Sequence, residues 1–205
     1  MDWEDVLSKS KVSQFLMVGF ALFQLTSCGV QEIPQRENEV DASSSEVTNQ
    51  YKRRADLIPN LVNTVKGYAS HEKETLEGVT QARARATAIT IDPSKATPDQ
   101  IASYQKAQGQ LSQALGRLMV VTEKYPDLKA DSNFRDLQSQ IEGTENRITV
   151  ARNRLIASIR DFNNSVTVFP SSLTNRILFQ KTKKTQWDVS ELEKQTNEKP
   201  PAVKF

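Results

Sequence analysis

The chain has 205 residues, with 27 Lys and Arg against 25 Asp and Glu, seven glycines, one histidine and one cysteine. The near balance of charge argues against a dedicated nucleic-acid binder. A single cysteine excludes an intramolecular disulfide, and His71 alone cannot make a His-based triad or a His pair on a metal within one chain. So few glycines leave little room for turn-rich β structure, which favours an all-helical domain.

Residues 12–25 are apolar apart from Ser13, Gln14 and Gln24. That is shorter than the ~20 residues a spanning helix needs and matches a signal-peptide core. Leu25, Thr26, Ser27 and Cys28 follow and resemble a bacterial lipobox, whose cysteine carries a diacylglycerol thioether and becomes the new N-terminus. Residues 1–28 are therefore expected to be a signal peptide with Cys28 as the lipidation site, several acyl chains together giving a stable anchor. Two other readings stay open. An uncleaved signal anchor fits the acidic start, Asp2, Glu4 and Asp5, since a signal n-region should be net positive. A buried core cysteine is the other, because free cysteine is often buried. Residues 29–36 contain Pro34 and no periodicity, which predicts a tether.

A first helix is predicted from the three-, four- and seven-residue spacing of Val40, Val47, Tyr51, Ile58, Leu61, Val65 and Tyr68, with a kink at Pro59. A break at 67–70 leaves Ser70 as N-cap of a second helix, whose stripe is Leu76, Val79, Ala82, Ala86 and Ile89. Residues 91–98 read as a loop. Thr97, Pro98 and Gln100 then form a capping box with proline at the first helical position of a third helix, striped by Tyr104, Ala107, Leu111, Ala114, Leu118 and Val121. After a connection at 125–131, with Asp131 or Ser132 as cap, a fourth helix has the strongest period: Phe134, Leu137, Ile141, Ile148, Ala151, Leu155, Ile159, Phe162, Val166 and Phe169. Pro170 ends it, and residues 171–179 suit one short amphipathic piece. Helices with single apolar stripes and short loops predict an all-α antiparallel four-helix bundle over 37–179, with an N-terminal membrane anchor and a flexible polar tail at 180–205.

The heptad through Ile141 and Ile148 places Thr144 where an apolar residue is expected, with Glu142, Glu145, Asn146 and Arg147 around it. In the first helix Arg54 and Asn63 lie on or beside the stripe, near Arg53, Asp56 and Asn60. These residues form either an ordinary solvated face or a polar layer in which Glu142 and Glu145 meet Arg53 or Arg54; such a layer sets helix register at a cost in stability. A catalytic or metal-binding use of the two carboxylates is the remaining alternative, although Glu142-Gly143-Thr144-Glu145 lacks the histidine of di-metal bundles. Basic residues at Arg83 and Arg85, Arg152 and Arg154, and Lys181, Lys183 and Lys184 could meet an anionic surface, but acidic neighbours dilute those on the helices.

Two long blocks resemble the LemA family of bacterial membrane-associated helical proteins. The first covers residues 49–62 (Asn-Gln-Tyr-Lys-Arg-Arg-Ala-Asp-Leu-Ile-Pro-Asn-Leu-Val), then 65–69 and 71–74. The second runs from Leu115-Gly116-Arg117-Leu118 through Tyr125-Pro126-Asp127-Leu128-Lys129-Ala130, Phe134 and Leu137-Gln138 to residues 142–148. The resemblance extends from about residue 40 to 179. It implies a four-helix bundle held outside the cytoplasmic membrane by its N-terminus, with no established enzymatic activity and no cofactor or metal. The chain departs from the family pattern in its lipobox and in Leu178-Phe179-Gln180-Lys181, which replaces the usual Gly-Phe-Lys-Pro ending. The expected function is a noncatalytic envelope scaffold or adaptor for a partner protein, with no nucleic acid. The alternative is an accessory hydrolase or metal-binding protein using Glu142 and Glu145. Gly29 after Cys28 leaves both inner and outer membranes open.

Overall fold

The computed structural model describes residues 3–187, with side chains from residue 30 onward. Every regular element among them is helical. These are α1 (Trp3–Tyr68), α2 (Lys73–Ala88), α3 (Pro98–Thr122), α4 (Pro126–Ala130), α5 (Ser132–Thr167), α6 (Ser171–Thr174) and a π-helical turn (Asn175–Phe179). Cys28, read above as the lipidation site, and the apolar run at 12–25 lie outside the described side chains, and residues 188–205 lie outside the described residues. Among the described residues no helix is long and apolar enough to cross a membrane.

Contacts divide the described residues into two compact units, the first made of residues 3–40 with Ser158–Lys184, the second of Asp41–Ala157 with residues 185–187. In the second unit, Ile58, Leu61 and Val65 of α1, Leu76, Val79, Ala82 and Ala86 of α2, Leu111, Ala114, Leu115 and Leu118 of α3, Leu128 of α4, and Phe134 and Ile141 of α5 bury one another in a continuous core. The stripes expected at these helices are the faces that pack, except that Tyr68, expected to end the α1 stripe, is exposed, its hydroxyl donating to the Asp131 carboxylate. Alanine at Ala82, Ala86 and Ala114 keeps the contacting surfaces of α2 and α3 low, and these two helices run closely against each other. The first unit buries Ile33, Val40, Ile159, Phe162 and Val166.

Several local expectations change. Residues 29–36, read as a tether, are inside α1, and Ile33 is completely buried. The apolar stripe of α1 thus starts one heptad earlier than Val40, a single residue too isolated in the sequence to show a period. α1 also continues through Pro59 without interruption. Proline at 59 cannot donate to the carbonyl of Ala55, four residues earlier; the Nε–H of Arg83 on α2 donates to that oxygen instead, at 2.7 Å. A neighbouring helix supplies the bond that the proline removes.

Ser70 does not cap α2. The chain turns at 69–72, where the Glu72 N–H donates to the Ala69 carbonyl, and α2 begins at Lys73 with no side-chain cap. The Glu72 carboxylate is engaged elsewhere, accepting from the Tyr125 hydroxyl at 3.0 Å. At α3 the capping box is present in both directions: Thr97 Oγ1 accepts from the Gln100 N–H, and the Gln100 side chain accepts from the Thr97 N–H. Asp131 caps α5, its Oδ1 accepting from the Phe134 N–H at 2.9 Å. His71 is an exposed turn residue just before α2.

Residues 181–187 belong to the polar stretch expected to be a mobile tail, but their backbone is bonded to the fold. In the first unit the Asn163 side chain donates to the Lys184 carbonyl and accepts from the Lys184 N–H, at 2.9 and 2.8 Å. In the second, the Gln186 side chain donates to the Ile156 carbonyl, and Trp187 is almost fully buried, with its ring edge-on to Tyr104 at 6.3 Å.

Candidate functional site

Arg54 sits in the apolar stripe of α1, three residues after Tyr51 and four before Ile58, so the helical period turns its guanidinium into the second unit. It is 1% exposed. Nη1 donates to Glu145 Oε1 at 2.6 Å and to Ser112 Oγ at 2.7 Å, while Nη2 donates to the Gln108 side-chain oxygen at 2.5 Å and its backbone carbonyl at 3.4 Å. Only Nε has no partner. Gln108 in turn donates through Nε2 to the Ala86 carbonyl at 3.3 Å. One guanidinium therefore links α1 to α3 and α5, and through Gln108 to α2. Such a group never loses its charge, and its planar fork suits several fixed acceptors at once.

The charge is also shielded by aromatic rings. Tyr51 lies beneath the guanidinium, with its centroid 5.2 Å from Cζ, and meets Tyr104 edge to face at 5.5 Å. Burial pushes the Tyr104 phenol well up from its ordinary value, Tyr51 adding to the effect while Arg54 and Gln108 oppose it. Tyr104 thus stays a neutral phenol over the whole physiological range. Glu145 reaches its partner from the rim, its side chain 37% exposed. The pair is a buried cation met by a half-solvated carboxylate, which limits the desolvation cost to one of the two ions.

The polar residues expected around this layer separate into two groups. Arg54, Glu145 and Thr144 point inward, Thr144 being fully buried, with its hydroxyl donating to the Gln140 carbonyl at 2.7 Å and accepting from Arg147 at 3.0 Å. Arg53, Asp56, Asn60, Glu142 and Asn146 are exposed. Glu142 accepts from Gln138 on its own helix and, unlike Glu145, does not join Arg54. Arg53, Asp56 and Asn60 follow helical spacing, so they form one outward face of α1. Lys52 and Asp56 border an open cleft whose inner wall includes Tyr51, Tyr104 and Gln108.

Gln108 and Ser112 are the functional partners that sequence reasoning missed. Both lie one position beside the α3 stripe, where a polar residue reads as solvated surface; only the arginine facing them gives them a role. Trp187 carried a detectable signal, as the one tryptophan in a polar stretch. The basic residues weighed for an anionic surface are mostly occupied: Arg83 on the Ala55 carbonyl, Arg154 by Glu46 at 3.2 Å, and Lys181 and Lys184 by Glu37 at 2.9 and 3.6 Å.

Fold and site together define a helical protein whose largest buried polar group is used to join helices. The chain belongs to the LemA family, whose family model matches residues 43–205. It is similar to Protein LemA of Metamycoplasma hominis, with 28% identity over 160 residues, covering 78% of this chain and 66% of the relative. The chain thus spans just under two thirds of that relative's length.

Proposed function

We propose that this chain is a noncatalytic, membrane-anchored scaffold: an antiparallel four-helix bundle of α1, α2, α3 and α5, held on the extracytoplasmic side by lipidated Cys28 and presenting a polar helix face to a partner protein. The observation that carries the reading is the use made of the polar residues. Arg54, Gln108, Ser112 and Glu145 are bonded to one another, an arrangement that supports rigidity, whereas Arg53, Asp56 and Asn60 face outward on a regular helix and are available for docking. The two carboxylates that an acid/base or metal site would need are turned to different partners, Glu142 to Gln138 and Glu145 to Arg54.

Two experiments test the proposal. Intact-mass analysis of protein from its own host membranes should find a species beginning at Cys28 with added acyl mass, and Cys28→Ala should release the protein from the membrane. A full-length unmodified mass, with the variant still membrane-bound, would replace the lipid anchor by a signal-anchor helix. For the docking face, Arg53→Glu combined with Asn60→Ala should leave the unfolding midpoint unchanged while removing the protein's crosslinks to neighbours in host membranes. Unchanged crosslinks would eliminate this face as the contact.

A further inference from the structure

At one end of the first unit the usual arrangement of polar and apolar residues is reversed. α5 ends at Thr167, α6 and the π-helical turn follow, and Gln180 in the left-handed region (φ 52°) sends the chain back. Within this cap Ser171 and Asn175, one helical turn apart, are each 7% exposed, whereas Val168, Phe169, Leu173, Ile177 and Leu178 are between 54% and 78% exposed. Phe169, expected to complete the α5 stripe, is the most exposed of them. Single exposed apolar residues are ordinary on a protein surface, but five within residues 168–178 make a patch that calls for an occupant.

The cap is held in this presentation. The Asn175 side chain donates to the carbonyls of Val166 and Lys181, at 3.2 and 2.9 Å, and accepts from the Lys181 N–H at 2.9 Å. Burying a polar side chain to satisfy backbone groups here turns the apolar residues of the same turn outward.

Its location indicates what covers it. In this unit α5 runs antiparallel to α1: Asp161 acts on Arg36, and just beyond the end of α5 the residues Phe169, Pro170 and Ser171 share an open cleft with Glu32 and Arg36. The cap therefore lies toward the N-terminal end of α1. That helix is continuous from Trp3, so the apolar run at 12–25 belongs to the same rod. Glu32 is seven residues beyond Leu25, about 10 Å at the helical rise, which is close to the outer edge of a headgroup layer about 5–8 Å deep. Cleavage with lipidation at Cys28 leaves the same geometry, since Glu32 is then about 6 Å from the acylated residue. Exposed Arg176 and Lys183 flank the apolar residues and match anionic lipid phosphates.

We infer that Val168, Phe169, Leu173, Ile177 and Leu178 form a foot that rests in the interfacial layer of the bilayer to which the N-terminus is attached. The inference depends on the membrane anchoring proposed above. It adds a second, noncovalent contact that fixes how the helical domain stands on the surface, since the anchor holds the foot beside the lipid at high effective concentration.

The test uses the full chain purified from host membranes and reconstituted into vesicles of phosphatidylcholine and phosphatidylglycerol, with Ile177→Trp compared against Val120→Trp, an exposed control site on α3. Flotation reports anchoring, and quenching by lipids brominated in the upper acyl chain reports depth. The foot requires flotation of both variants and roughly twofold or greater excess quenching at position 177, as expected for insertion of about 5–10 Å. Flotation with equal quenching at both positions overturns the foot and leaves the anchor standing. A position-177 indole unquenched by bromolipid but shielded from aqueous acrylamide places protein on the patch and also overturns it. Failure of either variant and the parent to float removes the anchoring reading, and the foot with it.

Discussion

Arg54 in the second unit and Asn175 in the first are both buried polar side chains at the centre of several hydrogen bonds, but their partners differ. Arg54 bonds to side chains and a carbonyl at least 54 residues away in sequence, on α3 and α5. Asn175 bonds to backbone groups within nine residues of itself. One closes contacts between distant helices around a permanent charge; the other shapes a local chain reversal with a neutral amide. Removing the first should therefore be felt throughout its unit. Loss of the second should be felt mainly in the cap.

The largest expected effect is at Arg54. Arg54→Ala removes the shared donor and leaves Gln108, Ser112 and Glu145 facing a cavity, with an expected loss of about 3–5 kcal/mol by chemical denaturation. Arg54→Met fills the space without a charge and should lose distinctly less; an equal loss would show that the hydrogen bonds outweigh packing. Asn175→Ala comes next, at about 2 kcal/mol for three backbone groups left unpaired. Its signature is local: amide exchange at 181–184 should accelerate more than exchange in α1 or α3. Uniform acceleration across both units would erase the contrast drawn here.

Arg83→Ala should cost about 1.5 kcal/mol, because a charged donor is taken from the carbonyl that Pro59 leaves open. The same change in a Pro59→Ala background, where the helix recovers its own N–H, should cost close to nothing. Additive effects in that double-mutant cycle would contradict the compensation. Glu145→Gln, which keeps an acceptor but removes a charge that is partly in water, should cost about 1 kcal/mol, and the loss should shrink at high salt.

The smallest effect depends on pH. The Phe134 N–H, followed by the Tyr68 hydroxyl, holds the Asp131 carboxyl below its ordinary value. The folded state thus binds this proton less readily than the unfolded chain. Its stabilising contribution is complete above the unfolded value of about 3.9 and disappears as pH falls through the lower folded value. Asp131→Asn should be slightly less stable than the parent at neutral pH and indistinguishable from it once the pH has fallen through the lowered folded value. A constant difference at all pH values would mean that the aspartate acts through shape and not charge.

Much of the helical architecture was legible because it rests on local chemistry and period. The capping box at Thr97 needs only residues 97–100, and the stripes of α2, α3 and α5 follow from the 3.6-residue turn. The candidate layer was half legible. Arg54 and Thr144 are recognisable as polar residues at apolar positions, but which carboxylate reaches Arg54 depends on the rotation of α5 against α1, and adjacent turns of one helix offered Glu142 and Glu145 equally. Pro59 illustrates the opposite limit: the sequence shows which helical hydrogen bond is lost, and only packing brings a donor on another helix to the carbonyl left open.

By itself, then, the sequence determined an all-helical chain of the LemA family, the positions of most helix faces, and the presence of unusual polar residues within them. Tertiary structure alone decided that Glu145, Gln108 and Ser112 share Arg54, that Arg83 serves the carbonyl opened by Pro59, and that Asn175 turns inward while Leu173, Ile177 and Leu178 turn outward. Helical period specifies the direction in which a side chain leaves its own helix. The atoms waiting there belong to residues tens of positions away, and only packing brings them into reach.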